Sequence, residues 1–205
     1  MPKIVDHHKQ REKLAEATWR VILRDGMERA SVRNIAEEAG LSVGSLRHYF
    51  STQSELLAFS MELVSIRVEK RIKGLPFTGE PIADAQMLLW ELLPIDEERS
   101  AEMAVWLAFT AKALSDPMLQ PLKDRIYAEM KLGMISIIEE LFSRYNTAAA
   151  ATEAEKALEA ERLYALLDGL AIHSVMKPSE VNSDVMKSVI AHHIKSICRS
   201  DRASD

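Results

Sequence analysis

The side chains best suited to chemistry in this sequence lie between residues 31 and 53, where they can form hydrogen bonds with phosphate oxygens and base edges. The guanidinium group of Arg47 can reach a guanine edge or a phosphate, and His48 and Tyr49 suit phosphate oxygens. Val43 can contact a thymine methyl group, and Gly44 permits close backbone approach. The pattern predicts that the following residues contact nucleic acid: Ser31, Arg33, Ser42, Val43, Gly44, Ser45, Arg47, His48, Tyr49 and Gln53.

Two short helices joined by a tight turn are expected to position these side chains. Ser31 is a suitable N-cap for a helix that runs to Ala39, and Gly40 can take the left-handed conformation that ends this helix. Ser42 then caps a second helix over residues 43–49. This arrangement is a helix-turn-helix.

The second of these helices has one face for packing and one face for solvent. Leu46 and Phe50 are expected to hold it on a preceding helix (about 9–24) and a following helix (about 53–73). The side chains on its other face then point outward, and a helix presented in this way can enter a major groove.

The rest of the chain also predicts helices. A break over residues 74–81, rich in glycine and proline, separates the helix at 53–73 from four or five more. These helices are expected at about 82–93, 97–114, 117–145, 152–176 and 183–199. The prediction is an all-α fold, with a DNA-binding domain over residues 1–55 and a helical regulatory domain over residues 56–205.

Composition excludes several classes of protein. The chain has 205 residues, of which 47% are hydrophobic and 28% charged, with 7 Gly and 7 Pro, which argues against a disordered or an all-β protein. Cys198 alone cannot form an internal disulfide, and no leader peptide or membrane span is visible, so we expect a cytoplasmic protein with no membrane partner. The net charge is −5, but residues 1–57 carry +1, which permits a nucleic-acid-binding segment on an acidic body.

Motifs for catalysis and metal binding do not appear in the sequence. Adjacent histidines at 7–8 and 192–193 point about 100° apart on a helix and do not chelate one ion together. No glycine-rich phosphate loop, Gly-x-Ser-x-Gly or His-Glu-x-x-His motif is present. We therefore expect no enzymatic activity, no metal and no cofactor.

The segment from Gly26 to Leu57 resembles the N-terminal signature of TetR-family transcriptional regulators. In that signature, a helix ending in glycine precedes Thr/Ser-Val-x-x-Ile-Ala-x-x-Ala-Gly-Val-Ser-x-Gly-x-Leu-x-x-Tyr-Phe-x-x-Lys-x-x-Leu. The residues that match at this spacing are Gly26, Ser31, Val32, Ile35, Ala36, Ala39, Gly40, Ser42, Gly44, Leu46, Tyr49, Phe50, Leu56 and Leu57. The His-Tyr-Phe ending and the Met-Pro-Lys start are similar to the BetI-like branch of the family.

Two positions depart from the family pattern. Gln53 stands where the family often has a lysine that contacts phosphate, so we expect a smaller electrostatic contribution to affinity. Arg47 stands where the family often has tyrosine, and we expect this change to alter the preferred base sequence.

The resemblance implies a homodimeric repressor that binds a palindromic DNA operator and responds to a small molecule. Apolar bands on the last two helices can pair around a two-fold axis as a four-helix bundle, or they can both face the core of their own subunit. The bands comprise Leu163, Tyr164, Leu166, Leu167, Leu170, Ala171 and Val175 on one helix, and Val185, Met186, Val189, Ile190, Ile194 and Ile197 on the other.

The resemblance also implies an effector-binding region after about residue 75. Aromatic and methionine side chains line adaptable apolar cavities, although at helical spacing they also suit an ordinary core. The predicted ligand contacts are Met87, Trp90, Met103, Trp106, Phe109, Tyr127, Met130, Met134 and His173. This set favours an apolar or aromatic effector; for a quaternary amine, Trp90 and Trp106 can provide cation–π faces.

Other functions stay open at this point. One is a DNA-binding activator, or a constitutive repressor with no effector. Another is a helical adaptor or a small cytosolic enzyme, which predicts a monomer without salt-dependent DNA affinity and without sensitivity to changes at Arg47 or Tyr49.

Overall fold

The computed structural model describes residues 7–145 and 151–198, with Met27 described by its backbone alone. The described residues form nine α-helices and a 3₁₀ turn (Met27–Arg29) with no β-strand among them, which confirms the predicted all-α fold. None of these helices is long and apolar enough to span a bilayer. The helices are α1 (His7–Asp25), α2 (Val32–Glu38), α3 (Val43–Tyr49), α4 (Gln53–Lys73), α5 (Pro81–Trp90), α6 (Glu97–Ala113), α7 (Gln120–Tyr145), α8 (Glu153–Met176) and α9 (Ser183–Cys198).

The predicted bounds of α3 and α4 are confirmed, and other helix ends differ by up to three residues. The largest difference at a C-terminus is in α5, which ends at Trp90 and not at residue 93. The next three N–H groups bond to carbonyls three residues earlier and form a tight turn before Pro94. Residue 199, the predicted end of α9, lies outside the described residues.

The described chain divides into two compact units. The first unit contains residues 7–70 and 100–124, and the second contains residues 71–99, 125–145 and 151–198. The chain passes from one unit to the other within α4, α6 and α7. The functional division predicted at residues 55 and 56 does not coincide with these bounds and stays a prediction.

The first unit holds the helix-turn-helix on α1. α1 packs against α2 and α3, and α2 packs against α3. Leu14 and Val21 lie on the buried face of α1, as its helical periodicity predicts. Arg20 and Arg24 both reach the carboxylate of Glu38, at 2.7 and 2.8 Å, and connect α1 to the end of α2. These contacts fix the position of α2, and therefore of the turn that follows it.

In the second unit, α5, α7, α8 and α9 contribute to one hydrophobic core. Most residues of the two apolar bands on α8 and α9 are buried in this core: Leu163, Tyr164, Leu167, Leu170, Met186, Ile190, Ile194 and Ile197. Helical periodicity identifies an apolar stripe but does not identify the neighbour that covers it. For these residues the neighbour is their own subunit, so they do not face a dimer axis. Val175 and Val185 of the same two bands are exposed, and pairing of α8 and α9 across a two-fold axis stays a prediction.

His193 on α9 is a nearly enclosed polar residue beside α8. Its side chain is 7% exposed, and its Nδ1 accepts a hydrogen bond from an Nη of Arg162 at 3.3 Å, because a guanidinium group can only donate. Its Nε2 is buried and has no hydrogen-bond partner among the described residues. Burial, together with the neighbouring charges of Arg162 and His192, lowers the pKa of His193 to about 4.

We expect acidification to destabilise the fold through His193. The pKa of an unfolded histidine is about 6.5, so the unfolded chain binds this proton more readily than the folded chain. The free energy of unfolding should therefore fall as the pH decreases from about 6.5 towards 4. Chemical denaturation at about pH 7 and about pH 5 should show a smaller loss of stability for His193→Gln than for wild type. His173→Gln, at an exposed position of α8, is the control and should lose as much stability as wild type. Equal losses in wild type and His193→Gln would contradict this assignment.

Candidate nucleic-acid interface

The turn between α2 and α3 is formed by two capping interactions. Gly40 has a φ angle of +67°, and the N–H of Leu41 donates to the Ala36 carbonyl at 2.8 Å, which satisfies the end of α2. The Ser42 hydroxyl then accepts the N–H of Ser45 at 3.0 Å and caps α3. The predicted helix-turn-helix is therefore present, and local hydrogen bonds set its turn.

The inner face of α3 is held by two apolar anchors. Leu46 is 0% exposed and Phe50, directly after the helix, is 1% exposed. The N–H of Phe50 donates to the carbonyl of Leu46 at 3.0 Å, so the chain stays ordered to the end of the helix. Burial of these two side chains fixes the orientation of α3 and thereby determines which of its residues face solvent.

The outer face of α3 is open to solvent. Val43, Gly44, Ser45, Arg47 and His48 are all exposed, as the sequence pattern predicts. Among the described residues, the guanidinium group of Arg47 has no hydrogen bond or ion pair. The structure therefore presents a free cation and small side chains on one face of a short helix.

Tyr49 at the end of α3 is half-buried and lies beside two imidazole rings. The ring centroids of Tyr49 and His48 lie 5.8 Å apart, and those of Tyr49 and His7 lie 4.6 Å apart. His7 belongs to the first turn of α1, so the start of α1 lies beside the end of α3. Sequence reasoning misses His7, because a contact between two separate helices leaves no local pattern.

The remaining predicted contact residues flank α3. The hydroxyl of Ser31 accepts the N–H of Asn34 at 3.2 Å and caps α2, and Arg33 is exposed on the first turn of the same helix. The side-chain nitrogen of Gln53 donates to the carbonyl of Ala30 at 2.6 Å. One N–H of the Gln53 amide thus connects α4 to the segment before α2, and the other N–H stays available to a ligand.

The loop between α6 and α7 contacts the first turn of α4 within the first unit. The carboxylate of Asp116 accepts a short hydrogen bond from the Ser54 hydroxyl and another from the N–H of Met118 at 3.0 Å. These hydrogen bonds lower the pKa of Asp116. No local pattern indicates this contact, because 62 positions separate Ser54 from Asp116.

The predicted ligand contacts are divided between the two units. The three on α6 belong to the first unit and the other six to the second. Phe109 and Met134 are fully buried, whereas Tyr127 and His173 are exposed and the others are half-buried. In the first unit, the ring centroids of Trp106 and Phe109 lie 6.3 Å apart. Ligand contact by this set stays a prediction.

One of these residues, Trp90, already has a cation above its ring. The ammonium nitrogen of Lys187 lies 5.5 Å from the ring centroid, within the range of a cation–π interaction. A quaternary amine that used this face of Trp90 would have to displace Lys187. A ligand that contacts the remaining surface of the Trp90 ring is therefore expected to be uncharged.

Two family models match the sequence. The model of bacterial regulatory proteins of the tetR family matches residues 14–58. The model of the C-terminal region of BetI-type transcriptional repressors matches residues 81–199. The first match contains the turn, α3 and the start of α4, and the second contains α5 to α9.

Individual proteins with similar sequences are also transcriptional regulators. The chain is 49% identical to the HTH-type transcriptional regulator PksA of Bacillus subtilis (strain 168) over 203 residues, which cover 98% of this chain and 96% of PksA. It is 27% identical to the HTH-type transcriptional regulator BetI of Escherichia coli (strain SMS-3-5 / SECEC) over 198 residues, which cover 95% of this chain and 96% of BetI.

Solved structures of regulators share the fold. A transcriptional regulator from Rhodococcus sp. Rha1 has a TM-score of 0.80 and 28% identity, and the match covers 91% of this chain and 95% of that protein. A transcriptional regulator from Saccharomonospora viridis, solved in complex with choline, has a TM-score of 0.79 and 21% identity, with 92% and 96% covered. At 21% identity, the similarity to the Saccharomonospora protein shows a shared fold only.

Proposed function

Because the chain belongs to the TetR family of bacterial transcriptional regulators, and is thus a DNA-binding regulator and not an enzyme, we propose that it binds a palindromic operator as a homodimer. In this proposal a small apolar or aromatic molecule releases the operator, and the protein acts in the cytoplasm. Residues 1–55 bind DNA, and residues 56–205 bind the effector and the second subunit. The exposed outer face of α3 is the observation that carries this function.

The dimensions of α3 suit the major groove. A helix with its side chains is about 10–12 Å wide, and the groove of B-DNA is about 12 Å wide. Arg47 has no partner within the described chain, so it can donate both arms of its guanidinium group to a guanine edge. His48, Tyr49 and the free N–H of Gln53 then bind phosphate oxygens on the flanks of the groove.

A stripe of exposed apolar residues on α8 supports the dimer. Leu158, Ala165 and Ile172 follow one another at intervals of seven residues and share one face of the helix. Leu158 is 67% exposed, Ile172 42% and Met176, one turn further, 68%. An exposed apolar stripe of this length is typical of a surface that a partner covers. We name it the α8 stripe, and we propose that it pairs with the α8 stripe of a second subunit around a two-fold axis.

The effector is proposed to be apolar or aromatic. The Saccharomonospora regulator binds choline, but in the present chain Lys187 already holds a cation over Trp90. The hydrogen bond between Ser54 and Asp116 joins the α6–α7 loop to the start of α4. A ligand that displaces this loop would move the helix that follows α3 and change the spacing of the two α3 helices in the dimer.

Selection from a random-sequence DNA pool tests the proposed function. The wild-type protein should enrich a duplex with two inverted half-sites whose centres lie about 34–36 Å apart, or a multiple of that distance; we call it the selected duplex. A pool without an enriched sequence would contradict the proposal.

A gel shift with candidate effectors tests the proposed effector class. Uncharged aromatic compounds should include some that release the selected duplex more effectively than choline. Release by choline alone would contradict the proposed effector class.

Two glycine substitutions should separate folding from DNA binding. Gly40→Ala places a side chain at a φ angle of +67° and should lower the free energy of unfolding by about 1–2 kcal/mol. In Gly44→Ala the new Cβ meets only the Ser42 Oγ, at 3.8 Å, so the fold should gain about 0.5–1 kcal/mol. The same methyl group lies on the face of α3 that approaches DNA and should weaken binding of the selected duplex. Denaturation curves and gel shifts measure both effects, and undiminished binding by Gly44→Ala would exclude the start of α3 from the contact.

A further inference from the structure

Arg11 on α1 has an unusual environment for an arginine. Its guanidinium carbon lies 4.6 Å from the ring centroid of Phe50 and 4.5 Å from that of Phe59, so two phenyl rings hold the cation. The side chain is half-buried, and its Nε is buried without a hydrogen-bond partner among the described residues. The two terminal nitrogens are not among the buried unpaired atoms and therefore reach solvent.

A second arginine of the same unit, Arg67, serves as a comparison, because its charge is paired within the protein. Arg67 is also half-buried, and its guanidinium group lies 4.4 Å from the ring centroid of Trp19. Unlike Arg11, it donates to the carboxylate of Glu16 at 2.7 Å. Arg11 has no carboxylate or other acceptor among the described residues. Because a partly desolvated cation is costly without a counter-charge, the Arg11 site is suited to an anion from outside the subunit.

The position of Arg11 identifies the class of that anion. Phe50 directly follows α3, and His7, one turn before Arg11 on α1, contacts the ring of Tyr49 with centroids 4.6 Å apart. The first turns of α1 thus lie along the C-terminal end of α3. A helix that fills the major groove brings the residues beside it against the phosphates at the groove edge.

We propose that Arg11 binds a phosphate of the operator backbone beside the C-terminal end of α3, a role that rests on the proposed binding of DNA by α3. The planar guanidinium group can bind two phosphate oxygens at once. Phe50 and Phe59 hold it in place before DNA arrives, so little side-chain entropy is lost on binding. Arg11 precedes the segment, residues 14–58, that the tetR family model matches.

The salt dependence of binding distinguishes a phosphate contact from a packing role. Each phosphate contact contributes about 0.9 to the slope of log affinity against log salt, so Arg11→Gln should reduce the slope for the selected duplex by about 1.8 per dimer. Lys13→Gln removes a charge from an exposed position of the same helix, about 200° around the axis, and should leave the slope unchanged. Equal slopes for wild type, Arg11→Gln and Lys13→Gln would overturn the proposal.

A second measurement does not depend on the stability of Arg11→Gln. Neutral methylphosphonate groups are placed one at a time along the selected duplex, and binding by wild type and Arg11→Lys is compared. Wild type should lose affinity at several symmetric pairs of positions, one pair for each phosphate contact. Arg11→Lys should lose less at one of these pairs, because lysine cannot bind two oxygens from the same place. Identical profiles would overturn the role of Arg11 while α3 binding stands. If wild type enriches no duplex at all, the proposed function and the role of Arg11 fail together.

Discussion

Replacing Arg47 by alanine should abolish most of the preference for the selected duplex while the protein stays folded. A good contact between arginine and a guanine edge contributes about 1–3 kcal/mol, and a dimer loses two such contacts. The expected loss is about 2–6 kcal/mol, or at least about 30-fold in affinity. Arg47 is exposed and has no partner among the described residues, so the free energy of unfolding should change by less than about 0.5 kcal/mol.

Gel shifts with the selected duplex and with an unrelated duplex measure the Arg47→Ala effect. The loss should be larger for the selected duplex, because a base contact carries sequence preference and a phosphate contact does not. Arg144→Ala is the matched control, since Arg144 is a mostly exposed arginine on α7. Wild-type affinity in Arg47→Ala, or an equal loss on both duplexes, would contradict base recognition by this residue.

Replacing Ile172 by glutamate should separate the dimer and weaken DNA binding. In the proposed dimer, the substitution buries a carboxylate in the α8 stripe of each subunit, and a buried unpaired charge is strongly unfavourable. A monomer binds each half-site independently and loses the avidity of the pair, which is about 10²–10⁴-fold. We therefore expect Ile172→Glu to be monomeric and to bind the selected duplex at least about 100-fold more weakly.

Sedimentation equilibrium and gel shifts test the Ile172→Glu effect together. The matched control is Leu132→Glu, because Leu132 on α7 is 64% exposed, as apolar as Ile172 and outside the α8 stripe. Leu132→Glu should remain dimeric. A dimeric Ile172→Glu variant with wild-type affinity would show that the subunits pair through another surface, and a monomeric wild type would exclude the dimer.

The helix-turn-helix is predictable from sequence because its determinants are local. Ser31 and Ser42 cap the helices that immediately follow them, and Gly40 takes the left-handed conformation that its position requires. Leu46 and Phe50 anchor α3, and their burial also fixes which residues are exposed. Sequence spacing therefore specifies both the turn and the outer face of α3.

The second unit is less predictable, because helical periodicity does not reveal which element covers an apolar face. Leu163 and Ile190 satisfy the pattern of a dimer interface, yet they lie in the core of their own unit. Nor does periodicity give exposure: His173 is exposed, and its contact with a ligand stays a prediction. Contacts between distant positions, such as that of Ser54 with Asp116 or of Arg11 with Phe59, leave no periodic signal.

Dimethyl sulfate probing of the selected duplex tests most directly whether the outer face of α3 reads base sequence. The reagent methylates guanine N7, which lies in the major groove. We expect the wild-type protein to protect guanines in two clusters with centres about 34–36 Å apart, and Arg47→Ala to lose protection within each cluster. Guanines that stay as reactive in the intact complex as in free DNA would contradict the account.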